Sequence, residues 1–198
     1  RDRPMLKAVG VDFAISKADK ANRTSFTVGG KDSDNYLNFL DQYVGRWDAL
    51  EIIEKFFEIQ VTHNPDCFFV EDGQIWKAIR PMLDREMLKR DCFINCFART
   101  PITDKASRGR SFQRRMRARA CRFDKQASWY PGYEDELLRF TGHSEATLDD
   151  QFDSSALLSL GFDDLAEVEE DDFLDDEELE ARSHNPRKYS GRSKVTGY

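Results

Sequence analysis

"KAVGVDFAIS", residues 7–16, is the stretch on which the fold turns. Ala8, Val9, Gly10 and Val11 form a run of buried-strand type, and Phe13, Ala14 and Ile15 carry it past Asp12. A bare carboxylate among apolar neighbours is costly unless it is paired or bound to a metal. Asp12 is therefore a strand-end residue or a ligand, and its apolar flanks favour the ligand.

Outward from this strand, "TSFTVG" (24–29) reads as a second one, joined to the first by the polar loop "KADKANR". "YLNFLDQY" (36–43) is a third, with "GGKDSDN" as the hairpin connection, so the opening is an antiparallel meander. In "GRWDALEIIEKFFEIQVTHNP", Trp47, Leu50, Ile53, Phe57 and Val61 recur at helical spacing, and Asn64-Pro65 stops the helix. "CFFVE" (67–71) is a short buried strand ending in a carboxylate. Residues 74–90 alternate apolar and basic at helical spacing, and "CFINCF" (92–97) reads as another strand. Strands alternating with helices predict parallel pairing and an α/β sheet. Residues 104–118, 133–141 and 149–160 read as helices and 120–123 as a short strand.

The 198 residues carry a formal net charge of -7, but the charges are segregated. Residues 163–180 hold twelve acids and no base, residues 181–198 five bases and no acid, and the remaining 25 acids and 25 bases balance within residues 1–162. The composition predicts one neutral domain over 1–162, followed by an acidic then basic tail, 163–198, too poor in apolar residues to fold alone. Cys67, Cys92, Cys96 and Cys121 form no CxxC pair and no zinc-ligand pattern, which favours reduced core thiols in a cytosolic protein. No signal peptide, membrane-length apolar segment or internal repeat is present, and a start without Met suggests a fragment or a processed product.

The acids form a pattern. Asp12 lies in the first strand and Glu71 ends the strand after the first long helix. In "TLDDQFDSSALLSL", Asp150 and Asp153 are i and i+3 on one helix face, while Phe152, Ala156 and Leu160 line another. Hard oxygen ligands in this order suit two Mg²⁺ or Mn²⁺ ions with room for water and phosphate, the layout of a two-metal nuclease. Taken alone, Glu71-Asp72-Gly73 reads equally as a turn, and Asp149 reads better as a helix-capping acid than as a ligand.

From Lys105 to Lys125 nine bases face Asp124 alone. Phe112, Met116 and Ala120 make a core stripe, and Arg110, Arg114 and Arg117 share a different face. A solvated basic helix face is a common device. Beside a set of acids in a neutral body, however, it suits a phosphate backbone, contacted without reading bases.

"VGVDFA", "YLNFLDQYVGRWDALEIIEKFF", "FFVEDG", "DKASRGRSFQRRM", "WYPGYEDELL" and "LDDQFDSSALL" follow one another in one order. Together, over about residues 7–161, they resemble the C-terminal nuclease domain of the large terminase subunit of tailed bacteriophages. The resemblance implies a ribonuclease-H-like fold, a mixed sheet of three antiparallel strands and then parallel ones, flanked by helices. It implies a metal-dependent endonuclease cutting concatemeric double-stranded DNA with little sequence specificity. By position, Asp12 is the first-strand ligand, Glu71 the central-strand acid, and Asp150 and Asp153 the late-helix acids. Lys105 and Arg108 match the basic start of the DNA-facing loop and helix. The chain departs at Leu148, where many members carry His (His143 lies upstream), and at Arg119-Ala120, where a glycine often precedes the short strand.

The same resemblance implies an ATPase motor domain, the small terminase subunit and the portal as partners, and the cytoplasm of an infected bacterium as the location. This sequence contains no phosphate-cradling Gly-rich loop, Gly29-Gly30-Lys31 reading as a hairpin, so the nuclease half alone is expected. Two rival readings are another nuclease of the same fold (a junction resolvase or transposase) and a non-catalytic DNA-binding module.

Overall fold

The computed structural model describes residues 5–14, 23–100, 105–140 and 149–172, with backbone alone for 105–108 and 167–172. The first half runs β1 (Met5–Asp12), β2 (Thr24–Asp32), β3 (Leu37–Gly45), α1 (Ala49–His63) and β4 (Cys67–Glu71). It continues as α2 (Gln74–Arg90), β5 (Cys96–Arg99), α3 (Lys105–Arg117), β6 (Cys121–Phe123), α4 (Tyr130–Arg139) and α5 (Asp150–Asp172). The strands form one sheet in the order β5-β4-β1-β2-β3-β6. β1, β2 and β3 pair antiparallel, whereas β4 is parallel to β1, β5 to β4, and β6 to β3. The mixed sheet expected from the sequence is thus the one formed.

Side chains alternate across the sheet and divide its contacts. Val9 and Val11 of β1, Phe26 and Val28 of β2, and Phe68 and Val70 of β4 face one way, into a core with Ile52, Phe56 and Ile59 of α1 and Ile79 and Leu83 of α2. Helix α1 starts where Asp48 caps it. The Asp48 Oδ1 accepts from the Leu50 and Glu51 N–H groups, both at 3.0 Å, and Glu51 Oε2 accepts the Asp48 N–H at 2.8 Å. It stops at Asn64, whose φ of 47° is left-handed and whose N–H bonds Gln60 O.

The other face carries α5, packed with unusual closeness. A Cβ on Gly10 would stand 2.1 Å from the Ser154 carbonyl oxygen and 2.7 Å from the Leu158 nitrogen, so the helix backbone rests directly on β1. Only glycine fits there. The small residues of "DSSALLSL" meet the sheet through hydroxyls: Ser154 Oγ lies 2.9 Å from Ser25 Oγ and 2.7 Å from Thr27 Oγ1.

Three expectations need correction. The apolar run at 92–97 is a strand only from Cys96 to Arg99. Asp91 turns left-handed at φ 49° and the Cys92 N–H returns to Met87 O, so the chain is still turning out of α2 here, and backbone pairing with β4 begins where the Asn95 carbonyl accepts the Phe68 N–H at 2.8 Å. Met116 is 41% exposed and does not continue the Phe112 core stripe, because the helix ends one residue later. The backbone of α5 runs to Asp172 instead of stopping near 160. Extending a nucleated helix costs little, and Leu165, Ala166 and Glu167 are helix formers. The chain divides into two units after Phe162, and 173–198, most of the expected disordered tail, lie outside the described residues. All four cysteines are free, and no helix among the described residues is long and apolar enough to cross a membrane.

Candidate active site

Asp12 and Glu71 end the two central parallel strands side by side. The β1–β4 register pairs Val11 with Val70, and one residue on, each strand ends in its carboxylate. Alternation settles the face. Gly10 and Phe69, each two residues earlier, both meet α5, Phe69 through Gly161 and Phe162. Asp12 and Glu71 therefore stand on the α5 face at the C-terminal strand ends, both half-buried. Ser25, in register with Asp12 on β2, binds Ser154 there.

The late-helix acids separate in role. Asp150 is buried and accepts the Arg23 Nε at 2.9 Å and the Arg23 N–H at 3.3 Å. The Arg23 Nη2 also donates to Glu136 Oε2 at 2.6 Å. Glu136 in turn accepts the Gln151 N–H and side-chain amide, both at 2.7 Å. Burial disfavours the Arg23 charge, but the bonds from Asp150 and Glu136 outweigh it and raise its pKa above the ordinary value. Arg23, Asp150, Glu136 and Gln151 thus tie the start of β2, α4 and the start of α5 together.

Asp153 is buried as well. Its helical neighbours Phe152, Ser155 and Ser159 face α3 and α4 through Phe112, Tyr133 and Ser111. Ser154 and Leu158 face β1 and β2. Asp153 is one helical step from Ser154, on the side away from Phe152, Ser155 and Ser159. Asp149 closes the first helical turn, its carbonyl accepting the Asp153 N–H at 2.8 Å.

Among the described residues, no three His, Cys, Asp or Glu side chains converge as a metal cage. The donor chemistry nonetheless fits a hard divalent cation. Asp12 and Glu71 stand on strands about 4.8 Å apart, and Asp153 is a third carboxylate on the adjoining helix flank.

Helix α3 packs on α5 closely enough that a Cβ on Gly109 would stand 2.5 Å from the Phe152 ring, so its first turns lie at the Asp153 end. Arg110, Arg114 and Arg117 are exposed along it, whereas Arg115 turns inward and donates its Nε–H to Ser159 Oγ at 3.0 Å. Lys105 and Arg108 sit in its first turn, their side chains outside the described residues. A groove of about 380 Å³ lined by Leu50, Ile53, Met82 and Arg85 lies between α1 and α2, on the opposite face of the sheet.

Sequence reasoning missed Arg23 and Glu136. Arg23 sits in a polar loop with nothing to distinguish it, and Glu136 is one acid among several in "YEDELL".

No protein-family model and no curated sequence matches the chain. Solved structures do. The large terminase nuclease from thermophilic phage G20c with bound zinc aligns over 77% of this chain and 79% of that one, at a TM-score of 0.57 and 16% identity. The large terminase of a second thermophilic bacteriophage, in complex with ADP, aligns over 80% of this chain but 40% of its own, at 0.56 and 13%. The fowlpox virus Holliday junction resolvase aligns over 81% of this chain and 99% of its own, at 0.50 and 15%. With its three antiparallel strands followed by parallel ones and its helices on both faces, the chain has the ribonuclease-H-like fold and resembles the large terminase nucleases.

Proposed function

We propose that the chain is a metal-dependent endonuclease that hydrolyses the phosphodiester backbone of double-stranded DNA, the nuclease part of a viral DNA-packaging terminase. The observation that carries this reading is the pairing of Asp12 with Glu71 at the ends of two parallel strands, on the face that α5 covers. Asp12, Glu71 and Asp153 hold Mg²⁺ or Mn²⁺, and Asp150, committed to Arg23, sets the start of the helix. When bound, such ions supply a water acidic enough to attack at neutral pH and Lewis-acid stabilisation of the leaving oxygen. The chain's own part is to hold the carboxylates on rigid elements and the duplex against them. Arg110, Arg114 and Arg117, with Lys105 and Arg108 ahead of them, meet successive phosphates and bring the scissile bond to the strand ends.

On this reading the cut is made in concatemeric DNA with little sequence preference. The partners are an ATPase motor domain, the small terminase subunit and the portal, and the setting is the cytoplasm of an infected bacterium. The near-complete overlap with the fowlpox resolvase supports a second reading, in which a four-way junction is the substrate. The test is cleavage of supercoiled plasmid, linear duplex and a four-way junction with Mn²⁺ and with a chelator. Cleavage of plain duplex that the chelator abolishes is expected. Cutting confined to the junction replaces the terminase reading with the resolvase one, and metal-independent or absent cutting overturns both.

A further inference from the structure

Arg99 ends β5 beside the acids. The β4–β5 register pairs Glu71 with Arg99, and the Asp72 N–H donates to the Arg99 carbonyl at 2.7 Å, so the two strands are still joined where the acidic site begins. Partners in register on parallel strands project to the same face. Two residues earlier, Phe69 and Phe97 are also partners, and their rings meet at 6.1 Å between centroids. Since Phe69 lies on the α5 face, Phe97 does too, and Arg99 follows it by alternation. Across the ends of β1, β4 and β5 the α5 face therefore reads Asp12, Glu71, Arg99: two carboxylates and then a guanidinium, all half-buried.

We propose that Arg99 is a phosphate-holding residue of this site, its guanidinium taking a non-bridging oxygen of the DNA phosphate that the adjoining carboxylates would engage through their cation. This rests on the nuclease reading above and deepens it. A phosphodiester has two non-bridging oxygens, and one taken by a carboxylate-bound cation would leave the other for the protein. A planar guanidinium one strand away suits it, because it is permanently charged and its N–H donors are fixed in direction. Half-burial makes such a donor worth more than a surface lysine, since less water competes for the phosphate. Arg99 differs in kind from Arg110, Arg114 and Arg117 of α3, which are exposed and would meet phosphates flanking the cut.

The experiment uses the full chain with Arg99→Ala, Arg99→Lys and Glu71→Gln. It reads single-turnover plasmid nicking in Mn²⁺, the salt dependence of duplex binding in Ca²⁺, and Tm. Arg99→Ala is expected to slow nicking about 100-fold, the scale of losing one preorganised donor to a developing charge. It should also lower the salt slope of binding by roughly one unit. Arg99→Lys should restore the slope and part of the rate. Nicking by Arg99→Ala within about threefold of the parent overturns the inference. So does a rate loss matched by a fall in Tm that Arg99→Lys leaves unrepaired. If the parent does not nick, or Glu71→Gln nicks as well as the parent, the nuclease reading itself fails.

Discussion

The Arg23 guanidinium bridges two buried carboxylates, its Nε 2.9 Å from Asp150 Oδ2 and its Nη2 2.6 Å from Glu136 Oε2. Of two acids that are i and i+3 on one helix, Asp150 is held by a cation of the chain, and Asp153 is the metal ligand on the reading proposed above. Asp150→Asn takes one of two carboxylates from Arg23, which Glu136 still holds, so it is expected to destabilise the fold by about 1.5–3 kcal/mol, the scale of a hydrogen bond to a charged group. It should keep the Mn²⁺-dependent rise in Tm. Asp153→Asn should lose that rise with little loss of intrinsic stability. Thermal melts with and without Mn²⁺ check both, and a metal response lost in Asp150→Asn alone reverses the assignment.

Asp12→Asn keeps the shape of the side chain and removes its charge. It is expected to abolish nicking, to leave duplex binding near the parent level, and to raise Tm slightly in chelator by relieving repulsion from Glu71. The parent's Tm should climb with Mn²⁺ concentration by mass action, and the variant's should not. Plasmid nicking alongside a Mn²⁺ titration of Tm is the measurement. Cutting at the parent rate makes Asp12 a structural acid.

Arg110, Arg114 and Arg117 lie exposed on α3, off the Phe112 contact with α5. Replacing all three with Ala should weaken binding equally for unrelated duplex sequences and flatten its salt dependence by roughly one unit per lost contact. Helicity by circular dichroism should hold. Unchanged affinity at every salt concentration places the duplex elsewhere.

Asp32 makes the stability acid-sensitive. It is buried at the β2–β3 turn and accepts the Tyr36 N–H at 2.9 Å, the Asp34 N–H at 3.1 Å, Asn38 Nδ2 at 3.2 Å and Arg122 Nη1 at 2.8 Å. Burial alone would raise its pKa, but Asn38, the Tyr36 N–H and Arg122 outweigh it and hold the carboxyl below its usual 3.8. A depressed carboxyl contributes stability above its unfolded pKa and loses it as pH falls through the folded one. Tm should therefore fall on acidification below about pH 4, and fall less in Asp32→Asn, which starts lower. Melts from about pH 6 down to pH 3 test this, and equal falls in parent and variant refute it.

Arg119 closes α3 with a φ of 55°, its N–H returning to Met116 O at 3.0 Å and the Ala120 N–H to Arg115 O at 2.9 Å. This is a helix end built for glycine, and a side chain there costs about 1 kcal/mol. Arg119→Gly is expected to raise Tm by about 2 °C. A fall in Tm shows that the Arg119 side chain contributes more than its backbone strain costs.

The order of the elements was legible in the sequence because each rests on local pattern. Asn64 and Pro65 stop α1, apolar runs mark β1 and β4, and "FFVEDG" carries an acid to a strand end, whereas the apolar flank Phe13–Ile15 hid that β1 ends at Asp12. Such signals need only neighbours along the chain. What the sequence left open depended on which segments meet. Asp150 and Asp153 are equivalent in a helical pattern until Arg23, 127 residues from Asp150, takes one of them. The β4–β5 register that sets Arg99 beside Glu71, and the contact that needs glycine at Gly10, likewise join residues far apart in sequence. Pattern places a side chain on a face, but burial and charge pairing are properties of the partner, and only the tertiary structure chose the partner.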